Sequence, residues 1–553
     1  FWELYGSSST QAEYIYRLLQ HYPNFPVIGM LNRQGEEIPS SSRTVQVVVH
    51  QALKIVELLQ KNGVKKGDRV ALVLFPCVEF TICLFACFLG GFVGIPIPPP
   101  IRLNSDLLAF SNVVEKSQTK FALSHVIYRQ FSSMQTITHK VSTFLSPSSW
   151  VGEKDDKKKK KKEKKISWPS KLNWLYIDGC CRSTDKDIEY QSLVEKTRDL
   201  ASKITPKDLA YLQLTSGSTA YPKLVQITHR ASILNVYSVL HHERAHVFKF
   251  RLNEKNYSRY ECPWIPFGKQ GNTQPEYHRS GILWIPHYHD FFMFYMFALL
   301  MSCSRILIIS PIDFLANPLV LLRSCYRHQA ITSCCPNFAF DYMVSKSKEE
   351  DKQKLIQEID FSKWITFFTQ GGEPLHKASL DRFLEAFPFL GIEKMQNALG
   401  MAEAVAGVCV APCSLKNSLL YVDKGLRGEK VKLLKANHPS ARAVYTCGYS
   451  VSEIEKYLKE GEETNVRVIV VHSETHKELP EGHLGEVWVS SPCLGSGYWG
   501  WSDKENEEVF GAVPKSVITS EEGRKYLRTG DRGFILDGMV FLIGRIKATL
   551  IIQ

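Results

Sequence analysis

Residues 212–223 read LQLTSGSTAYPK, and this stretch is the most informative in the chain. It places hydroxyl side chains around a glycine and ends in Lys223. Backbone N–H groups, hydroxyl groups and an ammonium can together surround a polyphosphate, because all of them donate hydrogen bonds to anionic oxygen atoms. The spacing is not that of a Walker A loop. A Ser/Thr-rich surface turn is the alternative, and it is the default interpretation for the hydroxyls alone.

The segments on both sides of this loop are apolar and strand-like, 212–214 before it and 224–227 after it. Closer to the N-terminus, apolar residues at helical spacing over 45–59 precede a compact apolar run at 70–75. The same order of helix and then strand recurs from residue 80 to residue 97. Alternating units of this kind predict an α/β fold in which helices cover both faces of a sheet.

The composition is that of an ordinary globular protein with several lobes, since 44% of the 553 residues are hydrophobic and 22% are charged. Much of the formal net charge of +12 lies in the lysine-rich run 153–165. Such a run repels itself and stays solvated, so we predict a disordered surface loop rather than a nucleic-acid-binding arm. No aromatic interleaving accompanies the run, and we expect no nucleic-acid partner.

The 14 cysteines are scattered without zinc-binding spacing, which predicts a reducing, cytoplasmic compartment. The apolar stretches 80–95 and 291–304 are shorter than the roughly 20 residues of a membrane-spanning helix. We therefore predict that they are buried, and we expect no transmembrane segment. The chain begins with Phe1 and not with Met, so we expect it to be a fragment of a longer protein.

Five further motifs follow the loop, and each alone would be a weak signal. They are GGEP at 371–374, LGMAE at 399–403, GYW at 497–499, YLRTGD at 526–531 and GRIK at 544–547. Together with the loop, they resemble the motifs of the adenylate-forming superfamily and occur in the order of that family. Six ordered motifs across most of the chain argue against a chance match.

Within that superfamily the chain most closely resembles fatty acyl-AMP ligases, and it is also similar to the acyl-ligase domains of disco-interacting proteins. The matching segments are the Pro-rich 95–100, WIPHYHD at 284–290, CPNFAFD at 335–341 and the insertion-like 345–364. The resemblance implies an α/β fold of two stacked αβα subdomains with a smaller β-barrel-like subdomain, without the C-terminal lobe. The predicted parts are a first α/β subdomain over 1–207, a second over 208–410 with insertions at 243–279 and 345–364, a β-rich subdomain over 411–543 and a hinge stub over 544–553.

The resemblance also implies an activity, in which a fatty acid and ATP give an acyl-adenylate and pyrophosphate with Mg²⁺ as cofactor. The acyl group would then pass to the phosphopantetheine of an acyl carrier protein, as in a lipid or polyketide synthase. By motif match, the catalytic residues are His289 at the substrate carboxylate and Lys223 at the phosphates, and Glu403 and Thr219 hold Mg²⁺. The implied ATP-binding residues are Thr215, Ser216, Gly217, Ser218, Thr219, Gly372, Glu373, Pro374, Leu399, Gly400, Met401, Asp531 and Arg545.

These residues also have interpretations without a function. His289 can be a hydrogen-bonded core histidine, Glu403 a solvated surface carboxylate, and Asp531 and Arg545 a surface ion pair. The aromatic and Met-rich stretch 291–300 can be a core helix, the wall of an acyl tunnel, or both at once.

The chain departs from the family pattern at several positions. Ala220 replaces a glycine of the phosphate loop, Leu399 an aromatic residue at the adenine, and Ala548 an acidic residue at the hinge. Phe291 and Phe292 stand where the resemblance predicts Met-Gly, so we expect the acyl tunnel to be narrowed or redirected. Two alternatives stay open: an acyl-CoA ligase, against which the insertion-like segment argues, and a non-catalytic acyl- or nucleotide-binding module, which the departures motivate.

Overall fold

The computed structural model describes most of the chain. The described residues are 8–100, 105–133, 172–182, 184, 187–215, 222–250, 279–302, 304–359, 367–410, 415, 418–425, 430–449, 466–519 and 521–546. The lysine-rich run 153–165, the loop residues 216–221 and Ala548 lie outside these ranges. What the sequence predicts for them therefore stays a prediction.

The described part alternates helices and strands in its first two thirds and is mainly strands after residue 407. The strands are β1 (Pro26–Leu31), β2 (Arg43–Thr44), β3 (Arg69–Leu72), β4 (Val93–Pro96), β5 (Phe121–Ser124), β6 (Asn173–Tyr176), β7 (Leu209–Leu214), β8 (Leu224–Thr228), β9 (Ser280–Leu283), β10 (Arg305–Ile309), β11 (Ala330–Cys334), β12 (Phe367–Gln370), β13 (Met395–Gly400), β14 (Gly407–Val410), β15 (Leu419–Asp423), β16 (Ala441–Tyr449), β17 (Arg467–Val471), β18 (Gly485–Ser490), β19 (Leu527–Leu536) and β20 (Met539–Arg545). The α-helices are α1 (Gln11–His21), α2 (Val45–Lys61), α3 (Val78–Gly90), α4 (Ser105–Ser117), α5 (Val126–Ser133), α6 (Tyr190–Ala201), α7 (His229–Phe250), α8 (Asp290–Met301), α9 (Pro311–Ala316), α10 (Val320–Arg327), α11 (Asn337–Lys346), α12 (Glu349–Glu358), α13 (Lys377–Ala386) and α14 (Asp503–Phe510). The helix α7 runs past Glu243 to Phe250, where the sequence predicted an irregular insertion. The prediction missed this helical segment because its polar composition hid the helical pattern.

Two sheets are mainly parallel. The first has the strand order β6-β5-β3-β4-β7-β8, and the second has the order β14-β13-β12-β11-β9-β10-β1-β2. Antiparallel pairing occurs at β7 and β8 in the first sheet, and at both ends of the second. Parallel strands place their carboxyl ends at one edge of a sheet, which is where open α/β folds bind ligands. The α/β fold class predicted from the sequence is confirmed.

The two α/β sheets exchange strands across the boundary predicted at residues 207 and 208. The strands β1 and β2 come from the N-terminal part but lie in the second sheet, where β1 pairs with β10. Conversely, β7 and β8 come from beyond that boundary but lie in the first sheet, where β7 pairs with β4. The sequence indicates where strands occur but not their partners, because pairing joins segments that are far apart. The limits of the domains therefore stay a prediction.

The third sheet is antiparallel and has the order β15-β16-β20-β19-β18-β17. It is formed by the β-rich part of the chain that the sequence predicted beyond residue 411. Among the described strands the order has two edges, at β15 and β17, so this sheet is open and does not close into a barrel.

The helices α3 and α8 form the centre of the core between the two α/β sheets. Both are apolar on all sides and buried along nearly their whole length. They touch, since Thr81 Oγ1 donates to Met296 Sδ at 3.4 Å, while α3 packs on the first sheet and α8 on the second. The prediction of burial for these apolar stretches is confirmed. In the part of the chain that is described, no helix is both long and apolar enough to cross a bilayer.

Candidate active site

The predicted phosphate loop connects β7 to β8. At its base the backbone N–H of Thr215 donates to the carbonyl of Lys223 at 3.0 Å, and the N–H of Lys223 donates to Thr215 Oγ1 at 3.3 Å. The loop therefore begins and ends at one hydrogen-bonded pair, at the carboxyl end of a parallel strand. Residues 216–219 lie between this pair and outside the described residues, so their contacts with phosphate stay a prediction.

The ammonium of Lys223 lies against two aromatic rings. Its Nζ is 4.3 Å from the ring centre of Tyr498 and 4.6 Å from that of Trp501. Ring faces attract a cation by about 0.5–2 kcal/mol, which holds the ammonium in one place. The segment with these rings is attached to β8, since the N–H of Trp499 donates to the carbonyl of Leu224 at 2.7 Å. The sequence pointed to the GYW motif but did not predict this contact.

Tyr498 also connects the lysine to Glu403. Its hydroxyl donates to Glu403 Oε1 at 2.6 Å. Burial raises the pKa of the Tyr498 hydroxyl and the Glu403 charge raises it further, so the hydroxyl keeps its proton and acts as the donor. The turn that carries Glu403 contains Val405 at φ +70°, a conformation that costs on the order of 1–3 kcal/mol in a residue with a Cβ. Backbone strain is thus stored at Val405, two residues after Glu403.

Asp531 and Arg545 are register partners on β19 and β20. The distance from Arg545 Nε to Asp531 Oδ1 is 2.8 Å, and the arginine side chain is 60% exposed while the aspartate side chain is only 11% exposed. Burial raises the pKa of Asp531 to about 6, the Arg545 charge opposes this shift, and the charges of Glu403 and Glu486 add to it. One member of the pair is buried, so the two do not form an ordinary surface ion pair.

The side chains of Lys223 and Glu403 meet at Tyr498, although the first precedes β8 and the second lies in the turn after β13. The lysine lies on the tyrosine ring, Glu403 accepts from its hydroxyl, and the charges of Glu403 and Arg545 both act on that hydroxyl. The charge of Glu403 also contributes to the raised pKa of Asp531 on β19. A cation and a carboxylate therefore share one tyrosine, and the charge of that carboxylate also affects Asp531. A site for a nucleotide with a divalent cation requires groups of these kinds.

The residues predicted for the adenine lie at the ends of the neighbouring parallel strands β12 and β13. Gly372 has φ +86°, which allows the tight turn after β12. The Glu373 carboxylate accepts from the backbone N–H of Phe338 at 3.0 Å, so this side chain is already used at the start of α11. Leu399 and Met401 are buried in an apolar cluster that they share with the third sheet. This region therefore offers mainly backbone and apolar surface, and the contacts of Gly372, Glu373, Pro374, Leu399, Gly400 and Met401 with an adenine stay a prediction.

His289 precedes α8 and is paired with its neighbour. Its Nδ1 lies 2.6 Å from Asp290 Oδ1, and 38% of its side chain is exposed, unlike a core histidine. Burial lowers the pKa of His289, but the hydrogen bond and charge of Asp290 outweigh it and the net shift is upward. Gln213 on β7 donates to the carbonyl of Tyr288 at 2.9 Å. The segment that carries the imidazole is therefore hydrogen-bonded to the strand that leads into the phosphate loop.

His287 belongs to the same segment, and no pattern in the sequence distinguishes it from His289. It is 1% exposed, and in the described part of the chain neither ring nitrogen has a hydrogen-bond partner. Its ring centre is 4.3 Å from that of Phe80. Burial lowers the pKa of His287 to about 3, so this ring is neutral. The WIPHYHD motif contains both histidines, but only the fold separates the buried one from the exposed one.

Known proteins resemble this chain in sequence. The model of the family described as "AMP-binding enzyme" matches residues 38–499. A medium-chain-fatty-acid–[acyl-carrier-protein] ligase, JamA of Moorena producens, is 26% identical over 529 residues, which are 94% of this chain and 74% of that protein. A long-chain-fatty-acid–AMP ligase, FadD32 of Mycobacterium marinum, is 27% identical over 395 residues, which are 66% of this chain and 55% of that protein. The chain thus spans between about half and three quarters of these relatives.

Solved structures share the fold. A fatty acid AMP ligase from Legionella pneumophila superposes with a TM-score of 0.71 at 23% identity, covering 98% of this chain and 78% of that chain. A fatty acyl-adenylate ligase from the same organism, in complex with acyl adenylate and pyrophosphate, gives a TM-score of 0.70 at 22% identity, with the same coverage of 98% and 78%. At these identities the likeness establishes the fold and not the reaction.

Proposed function

The chain belongs to the family of AMP-binding enzymes, and from this premise we propose that it activates a fatty acid with ATP. The products are an acyl-adenylate and pyrophosphate, and the acyl group then passes to the phosphopantetheine thiol of an acyl carrier protein. The names of JamA and FadD32, which specify fatty acids with carrier protein or AMP, support this substrate class. Since the chain spans only part of these relatives, the activity of the whole protein is included in the proposal.

One observation carries the proposal: the ammonium of Lys223 lies on the ring of Tyr498, and the hydroxyl of the same tyrosine donates to Glu403. In the reaction, an oxygen of the fatty carboxylate bonds to the α-phosphorus of ATP, and the bond from that phosphorus to the leaving pyrophosphate breaks. Both reactants are anions, so a fixed cation is needed to bring them together. Lys223 supplies it, and its two aromatic neighbours hold it in place.

His289 orients the fatty carboxylate in this proposal. In the protonated imidazolium, Nδ1–H faces Asp290 and Nε2–H is left to donate to a substrate oxygen. The upward shift of the His289 pKa helps the imidazole to keep its proton and therefore its capacity to donate. No side chain has to act as a nucleophile, because the substrate carboxylate attacks.

The donor chemistry of the site suits Mg²⁺, which prefers hard oxygen ligands. Glu403 offers carboxylate oxygens next to the place proposed for the phosphates, and we assign it and Thr219 to the ion. When bound, Mg²⁺ would neutralise phosphate charge. Asp531, as a carboxylate, would accept hydrogen bonds from the ribose hydroxyls, with Arg545 beside it.

A direct test is fatty-acid-dependent exchange of pyrophosphate into ATP by the full chain, with saturated acids of increasing length. We expect exchange only when both the acid and ATP are present. The rival interpretation is a non-catalytic binding module, and calorimetry distinguishes it. Binding of the acid and ATP without any exchange would establish that module and overturn the proposal.

Tyr498→Phe tests the site itself. The variant keeps a ring under Lys223 and loses the hydrogen bond to Glu403, a contact with a charged group of the kind worth about 1.5–3 kcal/mol. We expect kcat/KM for ATP to fall about tenfold or more. Tyr342→Phe is the matched control, because it loses a hydrogen bond of 2.8 Å to the Leu315 carbonyl, which belongs to none of the proposed binding segments. Equal losses in the two variants would contradict the role given to Tyr498.

The acceptor is tested by offering the acyl-adenylate formed by the full chain either CoA or a phosphopantetheinylated carrier protein. We expect thioester only on the carrier protein, whereas rapid formation of acyl-CoA would establish the acyl-CoA ligase alternative. We also place the protein in the cytoplasm, which the free state of the described cysteines supports.

A further inference from the structure

Several metal-binding side chains lie at the carboxyl ends of three neighbouring strands of the first sheet. The strands β3, β5 and β6 are adjacent and parallel. Cys77 lies beyond β3, His125 directly follows β5, and Asp178 lies just beyond β6. Glu79 belongs to the first turn of α3, which begins directly after Cys77. Parallel pairing therefore brings to one edge residues that are far apart in the sequence.

The distances fit a single ion. Cys77 Sγ lies 3.7 Å from His125 Nε2. One ligand atom from each of Cys77, Glu79 and His125 can be chosen so that all three lie within 4.8 Å of one another. At tetrahedral angles, a zinc ion holds a thiolate sulfur and an imidazole nitrogen about 3.6 Å apart. The sulfur and the nitrogen are thus at the required separation, and a small adjustment of the glutamate side chain completes the set.

Asp178 places a carboxylate opposite the second ring nitrogen of His125. Its Oδ1 lies 3.7 Å from His125 Nδ1, and its Oδ2 accepts from the backbone N–H of Val126 at 2.8 Å. The aspartate is therefore fixed by the start of α5 while it faces one ring nitrogen. Metal-binding histidines commonly direct their second ring nitrogen to a carboxylate in this way. The other nitrogen is left facing the sulfur.

A thiol, an imidazole and a carboxylate in this order could instead activate a nucleophilic cysteine. Glu79 brings a carboxylate oxygen within 4.8 Å of both the sulfur and the imidazole nitrogen. Reactive cysteines lie in electropositive surroundings, so an anionic side chain beside the sulfur opposes that role. A dication between the three groups removes the repulsion between thiolate and carboxylate and releases the thiol proton. The presence of Glu79 therefore favours a metal ion over a nucleophile.

We propose that Cys77, Glu79 and His125 bind one divalent transition metal ion, with Zn²⁺ as the ion that fits best. Sulfur, imidazole nitrogen and carboxylate oxygen together suit zinc, whereas Mg²⁺ and Ca²⁺ prefer oxygen ligands alone. All three ligand residues are half-buried, so water can reach the fourth position. Asp178 is a positioning residue, since it acts through His125.

The metal site and the phosphate loop share the carboxyl edge of the first sheet. Only β4 separates β3 from β7, so the axes of those two strands are about 10 Å apart at the usual strand spacing. The ion joins the ends of β3 and β5 to the start of α3 and so stiffens this edge. The inference does not rest on the proposed reaction, because an ion that joins strand ends stabilises the sheet whether or not ATP is consumed.

The test uses the full chain, stripped with a chelator under reducing conditions and titrated with Zn²⁺, and with Co²⁺ as a spectroscopic probe. We expect one ion per chain, with the d–d bands of tetrahedral Co²⁺ and a sulfur-to-cobalt charge-transfer band. Asp178→Asn should weaken Zn²⁺ binding by about 10- to 100-fold. Cys77→Ser, Glu79→Gln and His125→Asn should each weaken it more, and only Cys77→Ser should abolish the charge-transfer band.

Cys180→Ser is the matched control, because Cys180 is another half-buried free thiol and lies outside the group of ligands. It should leave the stoichiometry and the spectrum unchanged. Cys77→Ser keeps a hydroxyl at the position that precedes α3, where serine is a favoured capping residue, and circular dichroism checks that the variant is folded. A wild-type chain that binds no ion, or a Cys180→Ser variant that loses the charge-transfer band, would overturn the proposal.

Discussion

Asp531 is a carboxylic acid whose surroundings weaken its acidity. Burial raises its pKa to about 6 even though Arg545 is beside it. This value is above the roughly 3.9 of an aspartate in an unfolded chain, so protonation of Asp531 favours the folded state. That contribution is fully present below about pH 4 and is lost as the pH rises through about 6. Accepting hydrogen bonds from ribose hydroxyls requires the opposite, ionised state.

We therefore predict that the affinity for ATP falls as the pH is lowered through about 6, by up to about tenfold per pH unit. Calorimetric titration with ATP between about pH 5 and pH 8 measures this dependence. Asp531→Asn should bind ATP more weakly at the upper end of the range and should lose the step near pH 6. A wild-type profile without that step, or one that Asp531→Asn reproduces, would contradict the role of Asp531.

At the scale of single residues, the sequence identified the charged groups of the site but not the neutral groups that hold them. Lys223 was recognisable because its hydroxyl-rich loop adjoins it in the sequence. Tyr498 and Trp501 contact that lysine from far along the chain, and no local pattern indicates such a contact. In the same way, His287 and His289 look equivalent in the sequence, and only burial makes one of them neutral.

Two adjacent rings at the start of α8 lie in different environments. Phe292 is 1% exposed and packs edge-on against Phe80, with ring centres 6.2 Å apart. Phe291 is half-buried, and its ring lies 3.6 Å from where a Cβ on Gly371 would stand. Phe292 therefore fills the core, whereas Phe291 faces the turn after β12. We therefore expect Phe291, and not Phe292, to narrow the acyl tunnel.

Phe291→Met replaces the ring with the residue that the resemblance predicts. We expect the preferred fatty acid to become longer, because a flexible side chain leaves more room beside the turn after β12. Pyrophosphate exchange with acids of increasing length measures the shift. Phe294→Met on the same helix is the control, since that ring lies near Gly407 and should leave the length preference unchanged.

Phe292→Ala separates packing from specificity on this helix. We expect it to lower the free energy of unfolding by about 3–5 kcal/mol, as for other buried rings, without lengthening the preferred acid. Phe291 would be ruled out as the limit of the acyl site if Phe294→Met preferred a longer acid. It would also be ruled out if Phe291→Met left the preferred length unchanged.

At the scale of elements, the sequence predicted which segments are helices and strands more successfully than how they associate. The burial of α3 and α8 followed from their uninterrupted apolar character. The group formed by Cys77, Glu79 and His125 was not predicted, because the cysteines lack zinc-binding spacing and the residues meet only through the pairing of β3 with β5. Residues placed together by sheet topology carry no signal in a local pattern.

At the scale of the whole molecule, the exchange of strands makes the two α/β sheets depend on each other. The chain enters the second sheet through β1 and β2, crosses to the first, and returns to the second at β9. The helices α3 and α8 fill the space between the sheets, and one continuous apolar cluster includes residues from both. Neither sheet can keep its core after the other has opened, so we expect them to unfold together.

Leu307→Ala tests this dependence. Leu307 is fully buried on β10, and its truncation should cost about 2–5 kcal/mol. If the two sheets open as one unit, hydrogen exchange measured by mass spectrometry will show that the protection of β3, in the other sheet, falls by the same free energy as that of β10. Val422→Ala is the control, because Val422 is equally buried but belongs to a separate apolar cluster of the third sheet, and it should lower the protection of β3 less. Unchanged protection of β3 in Leu307→Ala would mean that the sheets open independently in spite of their exchanged strands.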